Sequence, residues 1–257
     1  MKKGLIAITA LAALAASCGM FDTSISGKRD AVPQSLTLGE DVVLTAGGAI
    51  KMMNMDFFPS SFKIEAGGKT IYIDPVMTDD TNSADYIFIT HDHGDHLSVK
   101  DIKKLMKDNT LIVCPKTIAG ALADLPVKQV KPGDVFKFDG FECEVVPSYT
   151  TRPVFLWLIS HPKESLYAGY ILTFGDVRIY HMGDTEFIPE MKLLSNITVA
   201  LVTTTFTMEN PEAADAVNAF KPEIAIPMHY VLGQSNALKF AELVDEGIAV
   251  EFLTEAK

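Results

Sequence analysis

Two mixed β-sheets covered by helices, an α/β fold in one domain, is the architecture this sequence predicts. Three observations carry it. Hairpin signals occur in both halves of the chain, continuous apolar runs mark strands buried on two faces, and amphipathic helical stretches alternate with the strands. SFKIEA and KTIYID flank Gly67-Gly68, the first hairpin signal. YIFIT follows as a buried strand. SVKDIKKLMKD reads as a helix with Ser98 as N-cap and Val99, Ile102, Leu105 and Met106 on one face. VFKFDG and FECEVVP form a second hairpin, and AGYILTF and VRIYHM, joined at Gly175-Asp176, a third. NPEAADAVNAF is helical with Asn210 as cap and Pro211 in the first turn. EIAIP is a buried strand and SNALKFAELVDE a late helix.

The 257 residues are 48% apolar, enough for a sizeable core and too apolar for a disordered chain. A formal net charge of -11 argues against broad binding to nucleic-acid backbone, so a small-molecule substrate is the expected partner and no nucleic acid. From Asp41 onward no Pro/Gly/Ser-rich linker interrupts the chain, and residues 41–257 read as one domain.

The N-terminus reads differently. Lys2 and Lys3 precede the apolar stretch GLIAITALAALAA, which is short for a bilayer span and ends in small residues. Leu14-Ala15-Ala16-Ser17-Cys18 resembles the bacterial lipobox. Residues 1–17 are therefore expected to be a signal peptide and residues 18–40 a lipidated N-terminus and tether. This implies an exported lipoprotein anchored to a bacterial membrane through Cys18, on the periplasmic or cell-surface side. An uncleaved membrane anchor is the alternative. Cys114 and Cys143 lie in or beside strand-like runs and are expected to be free, buried thiols.

The stretch THDHGDH, Thr90 to His96, holds three of the six histidines of the chain directly after the buried YIFI run. Imidazole nitrogens and carboxylate oxygens are ligands shared by Zn²⁺, Mn²⁺ and Fe²⁺. Packed at one strand end, such groups repel or stay poorly solvated without a cation. His91 and His93 alternate and can project the same way, while Asp95 and His96 turn to a second position. The pattern predicts two adjacent metal positions.

This cluster resembles the signature of the metallo-β-lactamase fold superfamily. IYIDP, ending in Asp74, resembles the strand before that signature. IYHMGDT resembles the segment with the metal-bridging aspartate, here Asp184, and IPMHY the one with the last histidine, here His229. FIPEM, FTM and PEAADAV, in that order, are similar to a branch of uncharacterised metal-dependent hydrolases. The resemblance implies an αββα sandwich of two mixed β-sheets flanked by helices, with the site at one edge of the sheets. It assigns His91 and His93 to one metal, Asp95, His96 and His229 to a second, and Asp184 to both. Asp95 and Asp184 are the implied catalytic residues. The implied cofactor is Zn²⁺, with Mn²⁺ or Fe²⁺ as alternatives. The activity is hydrolysis of a small ester, lactone, amide or phosphodiester by a water whose pKa the metals lower to about 7.

The sequence departs from the superfamily in two places. The loop that usually supplies a third histidine to the first metal corresponds to VPSYTTRP, where Ser148, Tyr149 and Thr150 stand instead. His161 reads either as a histidine that reaches the site if its loop folds over or, equally, as a surface-loop histidine; His181 is expected to be a buried packing histidine; neither is assigned as a ligand. One tightly held ion with a weaker second is then expected, and a non-catalytic metal- or ligand-binding lipoprotein on the same fold is the competing function. The second departure is Thr203-Thr204-Thr205, where the related branch tends to have glycine; the run reads as an ordinary strand end or, alternatively, as an altered pocket. VFLWLI, residues 154–159, reads as a buried strand, with an apolar lid over the site as the alternative.

Overall fold

The computed structural model describes residues 25–28, 34–52, 54–154 and 156–254. The expected signal peptide and Cys18 lie outside them. The first half of the chain supplies β1 (Ile25–Lys28), β2 (Ser35–Leu38), β3 (Val42–Ala46), β4 (Ile50–Met52), β5 (Met55–Phe58), β6 (Phe62–Ala66), β7 (Lys69–Ile73), β8 (Ala84–Phe88), helix α1 (Val99–Leu105), β9 (Met106–Pro115) and β10 (Val127–Val130). The second half supplies β11 (Val135–Phe138), β12 (Phe141–Pro147), β13 (Ala168–Phe174), β14 (Val177–His181), β15 (Val199–Thr203), helix α2 (Asn210–Phe220), β16 (Ile224–Met228), β17 (Tyr230–Val231), helix α3 (Asn236–Ala241) and β18 (Ala249–Val250).

These strands build two seven-stranded sheets, in the orders β10-β9-β8-β7-β6-β3-β2 and β11-β12-β13-β14-β15-β16-β18, with a four-stranded sheet β1-β4-β5-β17 beside them. Both large sheets are mixed. Each hairpin of the sequence supplies an antiparallel pair: β6 with β7, β11 with β12 and β13 with β14. The parallel pairs β7-β8-β9 and β14-β15-β16 need crossovers. Alternate side chains of the two sheets meet in one core, including Ile64, Ile71 and Phe88 from the first and Tyr170, Leu172 and Ile179 from the second. Ile102 and Leu105 of α1 cover the outer face of the first sheet with Ile87 and Ile112. Ala213 and Val217 of α2 join the core on the side of the second sheet. This is the αββα sandwich.

Several element ends differ from expectation, each for a local reason. The stretch 18–40 is not all tether: β1 pairs with β4, and β2 pairs with β3 through Ser35↔Thr45 and Leu38↔Val42. The fold thus begins before Asp41. Helix α1 stops at Leu105 because Met106 turns to the extended conformation and pairs with Ala84. Helix α2 starts at Asn210, and Glu209, not Asn210, occupies the N-cap position, without a side-chain capping bond. Helix α3 ends at Ala241, since the Asn218 side chain of α2 donates to Leu243 O and accepts from Asp245 N and so turns the chain. Within the 154–159 stretch, expected as a buried strand, the described residues Val154, Leu156 and Trp157 are exposed on a loop. Cys114 and Cys143 are buried and free, and burial raises both thiols to about 12.

The topology places the chemistry. Asp74 and His91 follow the carboxyl ends of the parallel neighbours β7 and β8. Asp184, Thr204 and His229 follow those of β14, β15 and β16. Ligand sites in open α/β sheets gather at such ends.

Candidate metal centre

Asp74 is the anchor beneath the cluster. Its φ of 46 is left-handed, and the carboxylate is fully buried. It accepts from Thr90 N at 2.8 Å, from Thr90 Oγ1 at 2.6 Å and from His96 Nδ1 at 2.8 Å. The bond to Nδ1 leaves His96 Nε2 to face the cluster, as an outer carboxylate does behind a metal-binding histidine.

Two donor groups result. His91, His93, His161 and Asp184 offer ligand atoms all within 4.8 Å of one another, and so do Asp95, His96 and His229. His91 Nε2 lies 3.2 Å from both His93 Nδ1 and His161 Nε2. Asp184 stands between the groups: Oδ2 is 3.2 Å from His229 Nε2, 3.8 Å from His161 Nε2 and 4.0 Å from His91 Nε2, while Oδ1 is 3.5 Å from His96 Nε2. Asp95 Oδ2 is 3.2 Å from His229 Nε2. All six residues expected at the site are brought together.

For His161 the structure selects one of the two readings left open by the sequence. This histidine is buried, and its Nε2 joins His91 and His93 in the place left open by Ser148, Tyr149 and Thr150. Thr150 N donates to His161 O at 2.8 Å, and this pairing closes an excursion of the chain that returns the histidine to the site. The unequal donor sets expected from the sequence become three residues each, with Asp184 between them. His181 is a packing histidine as expected: Nε2 donates to Ser60 O at 2.8 Å, and Nδ1 accepts from Gly183 N at 3.2 Å.

The local backbone needs this sequence. Gly183 has φ 65, and a Cβ there would sit 2.9 Å from Ser148 Oγ, so glycine is required before Asp184. His229 also adopts a left-handed φ, 56. The threonine run holds both turns. Thr203 Oγ1 donates to Gly183 O at 2.7 Å, Thr204 Oγ1 to Met228 O at 3.2 Å and Thr205 Oγ1 to His229 O. These hydroxyls position the segments of Asp184 and His229 instead of lining a pocket.

The protonation balance calls for a cation. Burial, then the neighbouring histidines, holds His91 well below the usual histidine range, and burial pushes His161 down to about 3. Burial also opposes charge on His96, but the carboxylates of Asp184, Asp95 and Asp74 outweigh it and hold its pKa well above the usual range. Burial disfavours ionised Asp184 as well, yet His229 and His96 keep its carboxyl well below the usual value. Among the described residues Asp95 Oδ1, His96 Nε2 and Asp184 Oδ1 are buried without a hydrogen-bond partner. Such orphans are rare unless a ligand is bound. Imidazoles facing nitrogen to nitrogen beside unpartnered carboxylate oxygens suit a cation of the zinc or iron kind.

Fold and cluster together define a metallo-hydrolase-type centre at the edge of an α/β sandwich. Residues 57–229 match the family described as the beta-lactamase superfamily domain. A UPF0173 metal-dependent hydrolase of Aeropyrum pernix is 33% identical over 196 residues, covering 66% of this chain and 79% of that one. A protein of Parabacteroides distasonis described as a metal-dependent hydrolase has a crystal structure that superposes with a TM-score of 0.70 at 30% identity, covering 87% of this chain and 98% of that one. CmlA, a diiron β-hydroxylase of Streptomyces venezuelae, shares the fold at 14% identity, with a TM-score of 0.62 over 85% of this chain and 54% of that one. The chain belongs to the beta-lactamase superfamily and, within it, to the UPF0173 metal-dependent hydrolases.

Proposed function

We propose that this protein hydrolyses a small ester, lactone, amide or phosphodiester with a metal-activated water. His91, His93 and His161 would hold one ion, Asp95, His96 and His229 the other, and Asp184 both. Zn²⁺ is the first candidate and Mn²⁺ or Fe²⁺ the alternatives. The observation that carries the reading is the opposition of His91 Nε2 and His161 Nε2 at 3.2 Å beside the Asp184 carboxylate, a contact that only a proton or a cation reconciles. The case for a non-catalytic lipoprotein rested on a missing histidine, and His161 takes that place.

When bound, the metal supplies Lewis acidity and a nucleophilic water at neutral pH. The chain's own residues do the rest. Asp74 fixes His96 with Nε2 inward. Burial opposes ionisation of Asp95, but His96 and His229 hold its carboxyl below the usual range, so it is ionised at neutral pH. Its Oδ1 has no partner among the described residues and is free to orient water and accept a proton. The experiment is metal analysis of purified protein followed by a panel of neutral esters, lactones, amides and phosphodiesters. Asp95→Asn keeps the size and removes the base, and should lower kcat by about 10²-fold or more with the protein still folded. Full activity in that variant would refute the mechanism.

Export as a lipoprotein, with residues 1–17 removed and Cys18 lipidated, is part of the same proposal. It is supported by the positive n-region, the apolar stretch and the small residues before Cys18. Mass spectrometry of the native N-terminus should find a diacylated Cys18, and a mature chain that retains Met1 would refute it.

A further inference from the structure

We infer that the flank of the metal cluster binds an uncharged acyl or aryl group of the substrate, and that Phe206 is the residue on which this group rests. The inference builds on the hydrolase reading above and names the substrate class of that site.

A cavity of about 370 Å³ lies between two segments that each contact a residue of the cluster. One wall is the base of the 150–161 loop, with Thr150, Val154 and Ser160; the other is the stretch from Phe206 to Glu212. Both walls touch proposed ligands. Ser160 Oγ lies 2.8 Å from His161 Nδ1, and the Phe206 ring stands edge-on to His229 with centroids 5.6 Å apart. The size suits a small ligand.

Phe206 meets the core through one tilted contact, with the buried Phe57 ring at 6.0 Å between centroids. It is 55% exposed and belongs to none of the buried core clusters. Its φ of 67 is costly for a bulky side chain, and Thr207 N donates to Thr205 O at 2.9 Å across it, closing a strained three-residue turn. Thr205 pins that turn through its bond to His229 O. A strained turn that displays an aromatic ring beside the metal ligands is expected where the ring meets substrate. Val154 lines the opposite wall at 51% exposure, and Leu156 and Trp157, at 66% and 74%, follow it on the same loop.

The polar wall disfavours an anionic group. Arg152 is the cation among the lining residues, and its Nε donates to Glu186 Oε1 at 2.9 Å while its Nη2 is bonded to Glu212 and to Thr207 O. Glu209 adds a further carboxylate. An incoming phosphate or carboxylate would find the guanidinium already engaged.

The test uses full-length protein loaded with Zn²⁺. Hydrolysis of ethyl esters from acetate to octanoate is followed by pH-stat. The expected result is kcat/KM rising about two- to fourfold per methylene, carried by KM. In Phe206→Gly the slope should flatten while metal content is kept and Tm is unchanged or raised, because glycine relieves the turn. A ring with a merely structural role would lower Tm and leave the slope. Independently of turnover, 4-phenylbutanol should change the fluorescence of Trp157, the single tryptophan, with about tenfold weaker binding in Phe206→Gly. If the alcohol binds in this Phe206-dependent way but no ester is cleaved, the hydrolase reading fails and the pocket stands. If esters are cleaved with a flat series, or with a slope that Phe206→Gly leaves intact, the pocket is refuted and the hydrolase stands. A Trp157 response to phosphatidylcholine vesicles but not to the alcohol would reassign the loop to membrane contact and overturn the inference.

Discussion

His161 and the threonine run illustrate how single residues complete a site that a motif only begins. The H-x-H-x-D-H segment is local, so alternation and one turn suffice to predict that His91, His93, Asp95 and His96 converge. Asp184 and His229 were legible through their resemblance to family segments. His161 was not, because the pairing of Thr150 with His161 places it, and no local period encodes that pairing. The only signal available was a histidine without another assignment in the expected interval. With His161 in place, the two positions should bind metal with comparable affinity. His161→Ala should reduce metal content from two ions to one per chain, measured by elemental analysis after dialysis, with the far-UV circular dichroism unchanged. Retention of two ions would remove His161 from the ligand set. For the threonines the sequence left strand and pocket open, since a hydroxyl's partner is decided by the neighbouring strand: Thr203 and Thr205 hold the carbonyls of Gly183 and His229.

The loop that carries His161 is held at both of its ends. At one end Glu186 accepts from Arg152 N, Arg152 Nε and Thr151 Oγ1, all within 2.9 Å. At the other Lys163 Nζ donates to Glu190 Oε1 at 2.9 Å, and Glu190 Oε2 ties this end to the first by accepting from Tyr149 OH at the same distance. Burial opposes the ionised form of Glu186, but bonds from Thr151 and Arg152 outweigh it and lower its pKa below 4.5. A carboxylate lowered on folding stabilises above its unfolded pKa and loses that contribution as pH falls through the folded value. Glu186→Gln should therefore lower Tm by about 2–6 °C at pH 7. Wild type should lose this advantage as pH falls through the lowered carboxyl pKa, so the two melting curves converge in acid. Equal Tm values at pH 7 would show that the latch contributes nothing. The same scale explains what the sequence left hidden in the fold. The hairpins were legible because strong alternation flanks glycine turns. The short strands β1, β2, β17 and β18 were not: each is two to four residues long and is defined by its partner, as Tyr230 is by Phe58. The 154–159 stretch misled because an apolar run normally signals burial, whereas here Leu156 and Trp157 face solvent on the loop that leads to His161.

Across the whole molecule the metal cluster joins the two sheets at one edge. His91, His93, Asp95 and His96 follow β8 of the first sheet, whereas Asp184 and His229 follow β14 and β16 of the second. Elsewhere the sheets meet through apolar side chains such as Phe88 and Tyr170, whose rings are 5.0 Å apart. The cluster replaces that contact with buried carboxylates and imidazoles, which repel or stay unpartnered without a cation between them. Ions held there bind the folded chain and not the unfolded one, so they stabilise the sandwich by mass action, about 4 kcal/mol for an ion at a thousand times its dissociation constant. For a domain of this size that corresponds to roughly 8–16 °C in Tm. Removing metal with a chelator should lower Tm by that order and increase hydrogen exchange at the loops after β8, β14 and β16, while the hairpin β11-β12, at the far side of its sheet, keeps its protection. Restoring Zn²⁺ should reverse both changes. If chelated protein, shown by elemental analysis to be metal-free, melted at the same temperature as the loaded form, the cluster would not be the cross-link between the sheets, and the orphaned oxygens of Asp95 and Asp184 would need another partner.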